Sequence, residues 1–398
     1  MGWHLHNLTK GGAVAPEANG APRSHVVDDA ATERTQHVFY AGGVGPSMKE
    51  LWWTGSADLQ WDDLLHDHPG AVGLLSDPNQ PPASHVFRAE GTQHVFCRGS
   101  SETFNNHVFE LWWRGGDPVN VNNLMVQSGE PTVGATSLTS HVFEAEGTQH
   151  VYLTMFGHIG QEQVDGHVGE LWWRRGESPH LEDLTARSSA RTLASPGLAS
   201  HVVEEAGTQH VFYVAGKDVI ELSWGGGHDW RERNLSQSSS PGPAEPATSQ
   251  PASHFFTNDR THHVFYTADN GRIMELSWRT GEDPVFRDIS GTSVGDGVAP
   301  VAVSAPTSHV FDAELTQHVF YTGENGHIIE LWWPPNDVAR HEDLTVQSGG
   351  APLAPTELLG TPTSHVFASE GTQHVFYRSG EPPNVPNVDL IELWWRRE

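Results

Sequence analysis

Fourteen histidines recur at fixed places in this chain. Seven follow a serine, in Ser-His-Val-Phe or a close variant: His25, His85, His141, His201, His254, His309 and His365. Seven more stand in Thr-Gln-His-Val-Phe-Tyr or a close variant: His37, His94, His150, His210, His263, His318 and His374. Imidazole can act as a general base or as a metal ligand. A metal centre needs three or four donors about 2–2.3 Å from one ion. Copies related by rotation diverge unless they point into a shared channel. The spacing therefore predicts histidines that close hydrogen bonds inside their own repeat, to a Glu, a Ser or the backbone. A channel ring of histidines holding a metal or an anion is the competing arrangement. The pairs His4/His6, His66/His68 and His262/His263 are expected by chance among 26 histidines. No metal and no other cofactor is predicted.

A second recurrent group is Glu-Leu-Trp-Trp or Glu-Leu-Ser-Trp, beginning at Glu50, Glu110, Glu170, Glu221, Glu275, Glu330 and Glu392. On a strand, Glu and the first Trp share one side, and Leu and the second Trp share the other. The second Trp is present in all seven copies (Trp53, Trp113, Trp173, Trp224, Trp278, Trp333 and Trp395), as core would be. The first is present in five (Trp52, Trp112, Trp172, Trp332 and Trp394) and is Ser223 or Ser277 in the others. An aromatic face can stack on a sugar ring while the adjacent carboxylate accepts from its hydroxyls, or it can simply pack between repeats. Tyr40, Tyr213, Tyr266, Tyr321 and Tyr377, each following His-Val-Phe, are further candidate contacts.

These residues must be positioned by a repeat. The Ser-His segments start at Ser24, Ser84, Ser140, Ser200, Ser253, Ser308 and Ser364, spaced 60, 56, 60, 53, 55 and 56 apart. Each copy has four short segments rich in Val, Phe, Tyr, Trp and Ile, bounded by Gly, Asn, Asp and Pro, which read as strands. Asn270-Gly271 and Asn325-Gly326 are hairpin signals, and Ala89–Thr92 is a tight turn. No segment sustains a 3.6-residue period, so helix is expected to be nearly absent. The prediction is an all-β fold: a single seven-bladed β-propeller over residues 1–398, with four antiparallel strands per blade. The last copy lacks a fourth strand, and Trp3–Thr9 resemble the missing one. The N-terminal strand is therefore expected to complete blade seven and so cover a sheet edge. Cys97 falls where other copies have Tyr or Leu, a strand position rather than a nucleophile.

The composition excludes several functions. The 398 residues carry 50 acidic and 22 Lys or Arg side chains, a formal charge of −28. Such a surface repels phosphate backbones, so a nucleic-acid partner is not expected. No apolar stretch reaches the length of a membrane span. Met1–His6 lacks the regions of a signal peptide, which predicts a cytoplasmic protein or one released without a classical leader. Oligomeric state is left open. Titrating all 26 histidines would take −28 to about −2, so solubility is expected to fall between about pH 7 and 5.

Antiparallel order puts the turns between first and second and between third and fourth strands on one face. The longer, variable loops lie on the other, and any site is expected there. Serine-hydrolase, P-loop, dinucleotide, EF-hand, zinc-protease and sialidase signatures are absent. Asp62/Asp63 and Glu182/Asp183 read as solvated edge positions. Sevenfold repetition suits multivalent binding of glycans or glycoconjugates better than catalysis. An alternative is a glycan lyase or hydrolase on the same face, with His158, Glu162 and His167 of copy three the place to look. A protein-interaction scaffold is a third reading.

The succession His-Val-Phe-Tyr, Gly/Asn turn, Glu-Leu-Trp-Trp resembles the repeats of fucose-specific lectin propellers. It is most similar to the seven-bladed bacterial lectins of the Photorhabdus type, from about Trp3 to Trp395. Those lectins tend to have His-Lys where this chain has Glu-Leu before the Trp pair. The resemblance implies fucose or O-methylated sugars bound between neighbouring blades on one face.

Overall fold

The computed structural model describes all residues except 1, 11–13, 30–32, 44–46, 55–57, 67–74, 77–79, 101–105, 189–192, 226, 296–297, 351–353, 355–360, 381–387 and 397–398. His68 and parts of the last two long loops lie outside the described residues. Seven antiparallel sheets each carry four main strands. Blade six shows the pattern: Thr307–Phe311, Thr316–Thr322, Ile328–Trp333 and Arg340–Asp343. First strands touch their neighbours all round, and Thr363–Phe367 of blade seven meets Arg23–Asp29 of blade one. The ring is closed. In blade seven the outer strand is His4–Asn7, paired with Leu390–Arg396 in the register His4 to Trp394 and Asn7 to Ile391. This is the predicted architecture, closure included.

Every residue of the second strand Thr316–Thr322 is buried, because a blade is covered on both faces by its neighbours. Phe39 of blade one meets Trp113 of blade two at 6.2 Å between ring centroids, and Phe265 meets Trp333 of blade six at 6.0 Å. The second Trp is thus blade-to-blade core in most copies. In blades four and seven a Trp entering the outer strand takes that place: Trp230 against Tyr152, and Trp3 against Phe320. Cys97 packs in the same core layer with Phe109 and Leu111, and burial pushes its thiol up to about 12.

Helix is confined, among the described residues, to single turns. Leu124–Gln127, Leu184–Arg187 and Leu344–Gln347 follow the outer strands of blades two, three and six, and one 3-10 turn covers Glu204–Ala206. Their N-caps are Asn123, Asp183 and Asp343, whose side chains accept a backbone N–H three residues on. The carboxylate pairs are therefore not merely solvated edges. Asp183 is a cap, and Asp63 is buried in an ion pair with Lys49. Among the described residues no helix is long and apolar enough to cross a membrane.

The two histidine sets divide the work of cohesion. The second-strand histidines do bond inside the blade, through Nδ1 to the third-strand Glu at 2.6–2.8 Å. Their Nε2 atoms meet the Thr two residues earlier. The first-strand histidines mainly reach the next blade rather than bonding within their own as expected; only His141 also meets a residue of its own blade, Tyr152, at 3.4 Å. His25 Nε2 meets Gln93 Oε1 at 3.0 Å, and the same bond joins His85 to Gln149, His141 to Gln209, His254 to Gln317 and His309 to Gln373. His365 to Gln36 closes the circle at 2.9 Å. In blade four the partner of His201 is His262, at 3.0 Å. The first strand is innermost, so its side chains face the adjacent blade before they face their own sheet.

Burial, helped by neighbouring histidines, holds the first-strand imidazoles far below their ordinary range, to about 3 for His25, His141 and His254. They stay neutral in the folded ring between pH 7 and 5, so the native charge does not approach −2 and the expected solubility loss is reduced. Unfolded histidines do protonate near pH 6.5. The unfolded chain then binds more protons, so stability is complete above about pH 6.5 and falls as pH drops toward 3. Thermal melts at pH 7.5, 6 and 5 should show a steadily falling Tm, and a flat profile would contradict the neutral ring. A second outcome concerns the first turn of each blade. Gly91, Gly147 and Gly371 have φ near +65°, and Leu315 occupies the equivalent place at +55°. Leu315→Gly should raise stability by about 1 kcal/mol in urea titration, because the left-handed conformation costs a branched L side chain about that much.

Candidate functional site

The third strand delivers the Glu and both Trp residues, running from the long-loop face toward the opposite turns. The Trp pair ends the strand, as in Ile328–Trp333, so the first Trp lies beside the turn into the outer strand. The clefts it helps form open on the short-turn face, not on the long-loop face where a site was expected. Chain direction decides this: two residues beyond Glu, the strand has already crossed the blade.

Two clefts between blades collect the expected residues. Between blades six and seven, a cleft of about 500 Å³ is lined by Glu330, Trp332 and Glu342 of one blade and by Gln373 and Trp395 of the next. Between blades seven and one, a cleft of about 600 Å³ is lined by His6, Glu392 and Trp394, facing Gln36 and Trp53. Glu314 and Glu370, from the short first turns, complete the two rims. Both volumes suit small ligands.

Trp52, Trp112, Trp172, Trp332 and Trp394 are all half-buried, whereas Glu50, Glu110, Glu170, Glu221, Glu275, Glu330 and Glu392 are buried. One flank of the Trp is taken by the outer strand. His4 stacks on Trp394 at 4.4 Å, His180 lies 4.9 Å from Trp172, and Arg340 lies 5.0 Å from the Trp332 ring. The Glu spends Oε1 on its histidine. Its Oε2 meets a partner chosen by the outer strand: Asn122 for Glu110, Arg287 for Glu275 and His6 for Glu392. Electrostatics differ accordingly. Burial raises the Glu330 carboxyl above its ordinary value, with His318 opposing and Glu342 reinforcing the rise. At Glu392 burial also pushes upward, but bonds from His374 and His6 bring the group below that value. Equivalent clefts thus surround their carboxyl with different partners.

The tyrosines are not contacts. Tyr40, Tyr213, Tyr266, Tyr321 and Tyr377 are wholly buried in blade-to-blade cores. The hydroxyls of Tyr40, Tyr266 and Tyr321 donate to the carbonyls of Pro16, Glu245 and Pro300 at 2.8–2.9 Å. Sequence alternation could not reveal this, because a strand covered on both faces has no exposed side. The residues that sequence reasoning missed are Gln36, Gln373 and outer-strand Glu342 and His6. The recurrence of Gln before His in six of the seven copies was the available signal.

The residues singled out in copy three do not assemble a pair of catalytic acids and bases. His158 and Glu162 lie on opposite arms of an exposed hairpin. His167 Nδ1 bonds Asp183 Oδ2 at 2.7 Å, and His327 makes the same bond to Asp343 in blade six, so the pair is a repeated brace. The axis itself holds a narrow cavity of about 150 Å³ lined by Arg23, Ser200, Ser253 and Ser308.

No protein-family model matches this chain, and no curated protein matches it in sequence. Solved structures do. The BP39L lectin of Burkholderia pseudomallei is 15% identical, with 96% of each chain covered and a TM-score of 0.65. The fucose-specific lectin of Aleuria aurantia is 13% identical, covering 82% of this chain and 96% of its own, with a TM-score of 0.50. The fold is that of the lectin propellers. Within it, the Tyr ring is structural: Tyr321→Phe should cost about 1 kcal/mol, by removing the hydrogen bond to the part-buried Pro300 carbonyl. Ligand affinity should be unchanged in the same variant. A loss of affinity at full stability would return Tyr321 to the site.

Proposed function

We propose that the protein is a multivalent, non-catalytic carbohydrate-binding protein whose sugars lie in the clefts between blades. One observation carries the reading: at two clefts a half-exposed Trp and a Glu of one blade face a Gln and a Trp of the next. An aromatic plane beside carboxylate and amide groups matches the alternating C–H faces and hydroxyls of a pyranose. The likeness to lectin propellers supports the class, and the fucose specificity of the Aleuria aurantia lectin makes fucosides the first ligands to try. O-methylated sugars, implied by the repeat's resemblance, come second. Ser223 and Ser277 remove the platform in blades four and five, so five of the seven clefts at most use a Trp. Several weak sites on one rigid ring give avidity toward a glycan-bearing surface.

The test is a glycan array followed by calorimetry with α-methyl fucoside and methylated monosaccharides. Binding is expected at more than one site per chain. Trp332→Ala and Trp394→Ala together should lower the number of sites and weaken array binding at least tenfold. Silence across all fucosylated and methylated glycans would sink the reading, as would unchanged binding in the folded double variant.

A further inference from the structure

Departures from a sevenfold repeat mark places where one blade does something the others do not. Six blades have Gln before the second-strand His: Gln36, Gln93, Gln149, Gln209, Gln317 and Gln373. Blade five has His262. Two of the seven third strands have Ser in place of the first Trp, and one of these, Ser223, faces the same cleft. Ser223 stands directly opposite His210 in the sheet, where Trp332 stands opposite His318 in blade six. The cleft between blades four and five has thus lost the aromatic platform and gained a third imidazole.

We propose that this cleft is a binding site for a divalent transition metal of the Zn²⁺, Ni²⁺ or Cu²⁺ class, held by His201, His210 and His262. Ligating nitrogens of the three lie within 4.8 Å of one another, the only such group of His, Cys, Asp or Glu among the described residues. All three side chains are buried. His201 Nε2 and His262 Nδ1 are 3.0 Å apart. Two nitrogens bound tetrahedrally at about 2.05 Å from one ion stand about 3.3 Å apart, so these two need only a small adjustment. His210 is already oriented as metal-bound histidines are. Its Nδ1 donates to Glu221 Oε1 at 2.7 Å, which leaves the lone pair on Nε2. That lone pair now accepts from the Thr208 hydroxyl at 2.9 Å and would exchange it for the ion. The Glu221 side chain behind His210, accepting from its Nδ1, strengthens it as a donor. Ser223 stands where blade six has Trp332, so no indole covers the side from which a fourth ligand would approach. Three neutral imidazoles favour borderline metals over Ca²⁺ or Mg²⁺, which prefer oxygen.

The site is separable from sugar binding, because blade four has no first Trp. His262→Gln restores the residue that six blades carry, and with it the His201–Gln bond, so this variant keeps the ring. Calorimetry and thermal melts with ZnCl₂ or NiCl₂ should show the wild-type chain binding one more ion than His262→Gln, with a rise in Tm that the variant lacks. Wild-type crystals soaked in Zn²⁺ should give an anomalous peak between the three imidazoles, a readout that needs no variant. Equal stoichiometry and equal Tm shift in the two proteins, or no anomalous peak in that cleft, would overturn the site.

Discussion

The ring depends on one constraint: each blade must give its neighbour a partner for a buried imidazole. The first strands crowd around the axis, most of their imidazoles are buried, and an unpaired buried polar group costs about 1–3 kcal/mol. The His–Gln bond answers this in six junctions, and a His–His bond answers it in the seventh. Each bond is modest alone, but every one crosses a boundary between blades. The outer strand His4–Asn7 applies the same logic at the chain ends, joining the termini in one sheet.

The same bonds place the clefts. The Gln that accepts from one blade's first-strand His stands beside the second Trp, opposite the previous blade's His, Glu and first Trp. Cohesion and the lining of the clefts therefore share residues. The second-strand His–Glu pair braces the sheet and leaves one carboxylate oxygen near the cleft. What varies is the outer strand, which sets that oxygen's partner as Asn122, Arg287 or His6. A repeat with a constant inner half and a variable outer half can hold one fold while tuning several clefts. The exchange of Gln for His262 replaces an amide acceptor by a third imidazole in one cleft.

Much of this was legible in the residues. The spacing of Ser-His, Gln-His and Glu-Leu-Trp-Trp announced seven blades of four strands, and Trp3–Thr9 announced the closure. The second Trp, present in every copy, is buried in five and partly buried in blades four and seven, and the strand role of Cys97 followed from its register. The candidate site was half legible. Trp and Glu share a strand face by simple alternation, and that face does reach a cleft. Tyr321 and its counterparts shared the same signature of recurrence, yet they are core, because recurrence marks core and site alike.

Sequence by itself determined what is local or periodic: strand order, blade number, the turns with Gly at positive φ, and which residues share a side of a strand. Those properties follow from backbone sterics and a two-residue period, and each copy repeats them. Only the tertiary structure decided what lies across a boundary. It showed that first-strand histidines bond the next blade, that the Trp clefts open beside the short turns, and that His201, His210 and His262 converge. Each of these joins segments about 10 to 330 residues apart, and the distance between them is set by how blades pack rather than by anything one strand contains.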